Sequence, residues 1–285
     1  MEAKVNSSND KHIYIGKLKK YTDILFRVTE NKTISSDMVS NCDYVKVDYS
    51  IFDNDLNKSN CLTRGINDKK MLNSLSRTRS KVFEIMICNE WEYFATFTLN
   101  PKYERDNIEV FRKQFTTWLK NYNARNNLSI RYIFIPEKHS DGINWHGHGA
   151  VVGLPVEHLT KFRRSDGITS RMKHFIKQGR ELYNWNAYAD KFGFVSLERI
   201  VSNEATAKYI TKYITKDSDK TDIKVNKRMF YASKGLKRAE ILHEGEILRD
   251  FVPDFENEYI KTKSFKTFNE ALTLFTEDKG GIHNE

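Results

Sequence analysis

Residues 130–152, "IRYIFIPEKHSDGINWHGHGAVV", constrain the fold more than any other stretch. "IRYIFIPE" (130–137) is rich in β-branched and aromatic residues and is closed by a proline, the composition of a strand. "KHSDGIN" carries Asp141-Gly142, a turn signal. "WHGHGAVV" (145–152) reads as a second strand running back antiparallel to the first. Around this hairpin the apolar pattern changes period several times. Met71, Leu72, Leu75, Val82, Ile85 and Met86 recur at helical spacing within 67–89. "WEYFATFTLN" (91–100) reads as a strand ended by Pro101. Ile108, Phe111, Phe115, Trp118 and Leu119 form one helical stripe. A basic, mostly helical stretch is expected over 156–184, then strands at "FGFVSLERI" and "RMFYAS". Hairpins interrupted by helices predict an α+β fold: a central antiparallel sheet of about five strands, flanked by helices. The expected organisation is an N-terminal extension over 1–66, partly irregular with some strand, a main domain over 67–245, and a C-terminal tail over 246–285 that packs on or extends it.

Composition narrows the function class. Hydrophobic residues make up 39% and aromatics 13% of the 285 residues, enough for a packed core. No run approaches the roughly 20 apolar residues of a membrane span, and the first residues hold no apolar signal core. Cys42, Cys61 and Cys88 are far apart and odd in number, as expected of free thiols in a reducing cytosol. The formal net charge is +9, a weak pointer to a polyanionic partner. That charge is concentrated. Between Lys208 and Arg238 lie ten cations: Lys208, Lys212, Lys216, Lys220, Lys224, Lys227, Arg228, Lys234, Lys237 and Arg238. Against Asp217, Asp219 and Asp222 the segment carries 10 − 3 = +7. Most charge runs are solvated surface; clustering beside a tyrosine repeat favours nucleic acid.

His146 and His148 are two apart on a predicted strand, so both imidazoles share one face. Across the turn, Glu137 or His139 is positioned to lie beside His146. Either completes a three-ligand site with open positions for water or substrate. Mixed nitrogen and oxygen ligands suit Mn²⁺ or Mg²⁺ acting on phosphates, and Zn²⁺ fits the same set. A structural zinc site is disfavoured, because no cysteine is near His146. Gly147 and Gly149 either leave room for a bulky group to approach the strand or mark a bulge or tight packing.

"KYITKYITK" (208–216) is a near-perfect tandem repeat. As a strand, one face would mix Ile210 and Ile214 with Lys208, Lys212 and Lys216. As a helix at about 100° per residue, with Tyr209 at zero, Tyr213 falls near ~40°, Lys216 near ~−20° and Lys212 near ~−60°. Ile210 and Ile214 then share a separate flank. The repeat therefore predicts a helix over 203–216, capped by Asn203 or Ser202, with Glu204 in its first turn. Two phenols and two ammonium groups point the same way. A phenol can attack a phosphodiester and hold the phosphoryl group covalently. A metal polarises the phosphate oxygens, and a lysine offsets the charge of the transition state.

Taken together, "FTLN" (97–100), "WHGHG" and "AKYITKYITKD" resemble, in order, three motifs of the HUH endonuclease superfamily, specifically rolling-circle replication initiators. "PEKHSDGINWHGH" is similar to the phage and Gram-positive mobile-element branch, in which a glutamate upstream completes the metal site; Glu137 stands at that place. The second motif departs from the pattern, with a small residue between the histidines instead of a bulky hydrophobe. The resemblance covers about residues 68 to 240. It implies an HUH, ferredoxin-like or RRM-like nuclease fold. It also implies a Mn²⁺ or Mg²⁺ ion on His146, His148 and Glu137, with catalysis by Tyr213 and Tyr209. Tyr213 would be the first nucleophile and Tyr209 the terminating one, assisted by Lys212 and Lys216. Lys208, Lys224, Lys227, Arg228, Lys234, Lys237 and Arg238 are the expected DNA contacts. No GxxxxGK[ST] occurs, so a host helicase and polymerase would complete replication, in the bacterial cytoplasm. Two alternatives share the fold: a transposase or mobilisation nuclease, and a non-catalytic DNA-binding regulator.

Overall fold

In this computed structural model the described residues are 14–31, 66–100, 102, 106–139, 141, 143–215, 228–256 and 260–276. The chain begins with β1 (Ile15–Thr22), β2 (Leu25–Asn31), α1 (Ile66–Cys88), β3 (Tyr93–Thr98) and α2 (Ile108–Asn126). It continues through β4 (Arg131–Lys138), β5 (Trp145–Val152), β6 (Leu159–Lys161), α3 (Ser170–Lys177), β7 (Leu182–Trp185), α4 (Asn186–Phe192), β8 (Val195–Arg199) and α5 (Asn203–Thr215). The last elements are β9 (Tyr231–Ala232), β10 (Glu240–Glu246), β11 (Phe255–Glu256), β12 (Ile260–Phe265) and α6 (Phe268–Leu272). They divide into two compact units, one within 58–237, the other joining 1–57 to 238–285.

The larger unit is built on a seven-stranded sheet in the order β6-β7-β8-β3-β5-β4-β9, with every neighbouring pair antiparallel. Alternation along β3 separates its two faces. Tyr93, Ala95 and Phe97 point into a core shared with Phe111, Phe115 and Leu119 of α2 and with Tyr188 and Phe192 of α4. Phe94, Thr96 and Thr98 point the other way, where α5 packs on β4 and β5 and α1 packs on α5. Leu75, Val82, Ile85 and Met86 of α1 are all buried, as the helical period requires.

The predicted hairpin is present. β4 and β5 pair antiparallel from Arg131↔Val152 to Lys138↔Trp145. Asp141 closes the turn by accepting from the Ile143 and Asn144 backbone N–H groups at 2.9 and 3.0 Å, and from Asn144 Nδ2 at 2.7 Å. The antiparallel α+β architecture is as expected, and the sheet is wider than about five strands because short β6 and β9 extend its edges. The stretch 156–184 differs from expectation. Only Ser170–Lys177 is α-helical, and the segment ends in β7, which pairs with β6 and β8. Gly179, at φ +84°, stops the helix in a left-handed turn, and the aromatic "LYNW" that follows suits a pleated surface. "RMFYAS" contributes only Tyr231–Ala232 to the sheet.

The smaller unit is a five-stranded antiparallel sheet, in the order β10-β1-β2-β12-β11. Its core gathers Leu18, Phe26 and Val28 with Ile247, Phe251, Ala271, Leu274 and Phe275. The expected strand at "DYVKVDYSIF", together with Cys42 and Cys61, lies outside the described residues. Cys88 is a buried free thiol.

Gly147 has a packing cause. A Cβ there would sit 1.9 Å from the Phe134 ring, and one on Gly149 would sit 2.0 Å from the Ile133 carbonyl oxygen. Both glycines are therefore tight-packing residues. Gly147→Ala is expected to destabilise the protein by about 1–3 kcal/mol through overpacking. Adding Phe134→Leu should recover part of that loss in urea denaturation. Equal stability of wild type and Gly147→Ala would contradict this account.

Candidate metal centre and tyrosine pair

The β4–β5 register sets Glu137 directly opposite His146, and the β3–β5 register sets Thr96 opposite His148. Since the pleat repeats every two residues, His146, His148 and Glu137 share the α5 side of the sheet. Their polar atoms converge. Glu137 Oε2 lies 3.0 Å from His146 Nε2 and 2.8 Å from His148 Nε2. The two Nε2 atoms are 3.1 Å apart. Glu137 and His148 are buried, and His146 is partly so.

This donor set fits a divalent ion. Two imidazole nitrogens and a carboxylate oxygen about 3 Å apart have the spacing of neighbouring ligands in an octahedral shell with bonds of about 2.1 Å. Among the described residues this is the one group of three such side chains. His148 Nδ1 is 3.2 Å from Thr96 Oγ1, a contact that orients the ring as outer partners of ligating histidines do. His146 Nδ1 is buried without a hydrogen-bond partner in the protein. His139, the other residue considered beside His146, places its ring centroid 4.2 Å from the His146 ring but is not part of the converging group.

The tyrosine repeat forms a helix, and the helix sorts its residues as predicted. Ile210 and Ile214 of α5 are buried, each worth roughly 1.5–3 kcal/mol of apolar transfer. Tyr209 and Lys212 are exposed, and Tyr213 is half-buried. Ser202 caps the helix by accepting from the Ala205 N–H at 3.2 Å. Asn203 instead donates to the Asn89 carbonyl at 3.0 Å. Asn89, itself buried, donates to the carbonyls of Ile85 and Lys237 at 2.8 and 3.0 Å, and accepts from the Lys237 N–H at 2.9 Å. One side chain therefore ties the end of α1 and the Lys237 backbone together, while its carbonyl holds the start of α5.

α5 lays Tyr213 against the histidines. The Tyr213 ring stacks on His148 with centroids 3.8 Å apart and planes 15° from parallel. Its hydroxyl donates to the Tyr209 hydroxyl at 2.6 Å. Tyr209 meets the edge of Phe94 at 5.4 Å, and Phe94 stacks beside His148 at 6.0 Å. Burial pushes the Tyr213 phenol above its ordinary range; the Tyr209 hydrogen bond and the charges of Tyr209 and Glu137 push the same way, and Arg171 of α3 opposes them. The phenol is a protonated donor at neutral pH. Neighbouring positive charge is what would change that.

The remaining expected cations are dispersed. Lys208 pairs with Glu204 one turn back on α5 at 2.8 Å. Arg228 is exposed, and its charge acts on the hydrogen-bonded Glu109–Tyr231 pair beside α2. Lys234 and Lys237 are exposed in the same unit, whereas exposed Arg238 begins the segment assigned to the smaller one. Lys216, Lys224 and Lys227 lie outside the described residues. Thr96, Phe94, Arg171 and Asn89 join the site without having been expected there. For Thr96 and Phe94 the signal in the sequence is strand alternation within "FATFTLN".

A family model for replication-associated proteins, described as ORF2 type, matches residues 92–218, somewhat under half of the chain. The match begins just before β3 and passes the end of α5, so it includes Glu137, His146, His148, Tyr209 and Tyr213. It supports a replication-associated protein that binds DNA. No curated protein and no solved structure matches the chain. No helix among the described residues is long and apolar enough to cross a membrane.

Two outcomes follow from this geometry. Saturating MnCl₂ should raise the melting temperature of the wild type, as for any ligand that binds only the folded state. Glu137→Ala should abolish that rise, and an undiminished rise would contradict a role for Glu137 in metal binding. The second outcome concerns the Asp141 turn. Hydrogen bonds from the Asn144 side chain and from the Ile143 and Asn144 N–H groups hold the Asp141 carboxyl down at about 2. The folded value lies below the unfolded value of about 3.9, so its stabilisation is present above about pH 4 and is lost as pH falls towards 2. The urea midpoint of Asp141→Ala should therefore lie below that of wild type at pH 7 and approach it through that window.

Proposed function

We propose that this protein is a rolling-circle replication initiator of the HUH endonuclease type. It would nick one DNA strand at an origin and retain the 5′ end on a tyrosine. The observation that carries this reading is the stacking of Tyr213 on His148, which sets a phenol against a converged His/His/Glu group. Support comes from the replication-associated family match across that same segment.

In the proposed reaction, origin DNA is bound single-stranded or extruded, with the scissile phosphate above His146, His148 and Glu137. A Mn²⁺ or Mg²⁺ ion on these residues would supply Lewis-acid polarisation of the phosphate and positive charge near the phenol. Tyr213 Oη forms the new bond to phosphorus, and the bond from phosphorus to the 3′ oxygen breaks. The products are a 5′-phosphotyrosine and a free 3′-OH that primes synthesis. The phenol proton must leave during attack, because burial keeps Tyr213 protonated beforehand. Tyr209, already within hydrogen-bonding distance of Tyr213, attacks the regenerated site after one round, and the released 3′-OH closes the circle. Lys212 and Lys216 offset the charge of the five-coordinate transition state. Lys208, Lys224, Lys227, Arg228, Lys234, Lys237 and Arg238 hold the strand by its phosphates. A host helicase and polymerase in a bacterial cytoplasm would carry out unwinding and synthesis.

The test is a labelled single-stranded origin oligonucleotide incubated with the protein and Mn²⁺. Tyr213→Phe should lower covalent adduct on the order of 1,000-fold or more. Tyr209→Phe should retain the first adduct but fail to release a closed circle. Adduct formation by the double Tyr209→Phe/Tyr213→Phe variant would overturn the proposal. A mass shift on Tyr209 alone would reverse the order of the two nucleophiles.

A further inference from the structure

The sheet of the larger unit has a second side. The Glu137, His146 and His148 group lies with Thr96 on the α5 side. The opposite side, lined by Tyr93, Ala95 and Phe97, is covered by α2 and α4. On the outer surface of those helices is a groove of about 630 Å³. Lys113, Gln114, Thr117, Asn121 and Arg125 line it from α2, and Lys191 lines it from α4. All six are exposed, and no carboxylate is among the lining residues. Lys113 and Arg125 are twelve residues apart on one helix, a span of about 18 Å. The groove thus has a cation at each end of α2, a third on the α4 wall, and amide and hydroxyl groups between.

Trp118 and Tyr122 form the rest of the lining, and they discriminate between ligands. Their rings stack on each other at 5.1 Å. Trp118 also meets Phe115, Trp185, Tyr188 and Phe192. The Tyr122 hydroxyl is engaged with His158 Nδ1. These rings are committed to the core, so the groove is poorly suited to stacking unpaired bases, which is how single strands are held. Cations interspersed with amides and hydroxyls are the groups that contact phosphate and sugar along a duplex.

We infer that the α2–α4 groove is a second nucleic-acid surface, which holds duplex DNA by its backbone on the side of the sheet away from the His/Tyr group. This rests on the reading of the chain as a DNA-binding protein but not on its nicking chemistry. The groove would anchor the duplex flanking the strand engaged by the other face. Because it contacts the backbone, it contributes affinity and salt dependence without reading sequence.

The test uses the full chain and fluorescence anisotropy with a labelled 20-base-pair duplex and the same sequence as a single strand, across a salt series. The triple variant Lys113→Ala/Arg125→Ala/Lys191→Ala should bind the duplex about tenfold or more weakly. Its slope of log affinity against log salt should fall by up to about 3, near 0.9 for each phosphate no longer neutralised. Single-strand affinity and the MnCl₂-induced rise in melting temperature should be unchanged, which also reports that the variant is folded. The charge-preserving variant Lys113→Arg/Arg125→Lys/Lys191→Arg should bind the duplex like wild type. Unchanged duplex affinity and salt slope in the triple alanine variant would overturn the inference. So would an equal loss for both probes, which would make the groove a single-strand site. Adduct formation through Tyr213 is scored on a short single strand, so failure here and failure of the nicking assignment are separate outcomes.

Discussion

The candidate site depends on one cross-strand register. Glu137 meets His146 because β4 and β5 pair in phase from Arg131↔Val152 onward. A slip of one residue would turn the Glu137 side chain to the opposite face of the sheet. Two devices fix the phase. Asp141 closes the turn with three accepted hydrogen bonds. Gly147 admits the Phe134 ring where no side chain of its own would fit. The resembled motif places a bulky apolar residue between its two histidines. Here the neighbouring strand fills that volume with Phe134, so the core remains packed although the motif is altered.

Above this platform the tyrosines depend on where α5 starts and which way it is rolled. Ser202 and Asn89 set the start, and Ile210 and Ile214 set the roll by burying one flank. The result places a protonated phenol against an imidazole and near a buried carboxylate. That arrangement is electrostatically one-sided: carboxylate and phenol both gain from an added cation. A divalent ion would relieve the repulsion and orient the histidines at once, which ties site assembly to metal binding.

How much of this is legible in the sequence follows from what carries each feature. The hairpin, the shared face of His146 and His148, and the sorting of Ile210 and Ile214 from Tyr209 and Tyr213 rest on local periods of 2 and 3.6, which a single sequence displays. Thr96 beside His148 rests on which strand neighbours β5, a tertiary fact. Asn89 is one of many asparagines, and only packing shows that it joins α1, α5 and the Lys237 backbone. The stretch 156–184 misleads because its abundant cations mask a broken period, so its short helix and β7 read as one mostly helical run. The dispersal of the basic residues from 208 to 238 has the same origin. Proximity in sequence is not a patch in space once a helix, a strand and a change of unit intervene.

The smaller sheet carries a consequence for how the molecule is made. β2 pairs with β1 beside it in sequence, and on its other edge with β12, more than two hundred residues later. At about 5–20 residues per second during synthesis, the first hairpin waits on the order of ten seconds or more for its partner. During that interval the 58–237 segment, whose strand pairings are all internal to it, is free to fold first. The β1–β2 edge meanwhile presents unpaired backbone groups and the apolar side chains of Leu18, Phe26 and Val28. Its lysines, Lys17, Lys19 and Lys20, are the kind of residue that guards such an edge against pairing with another nascent chain.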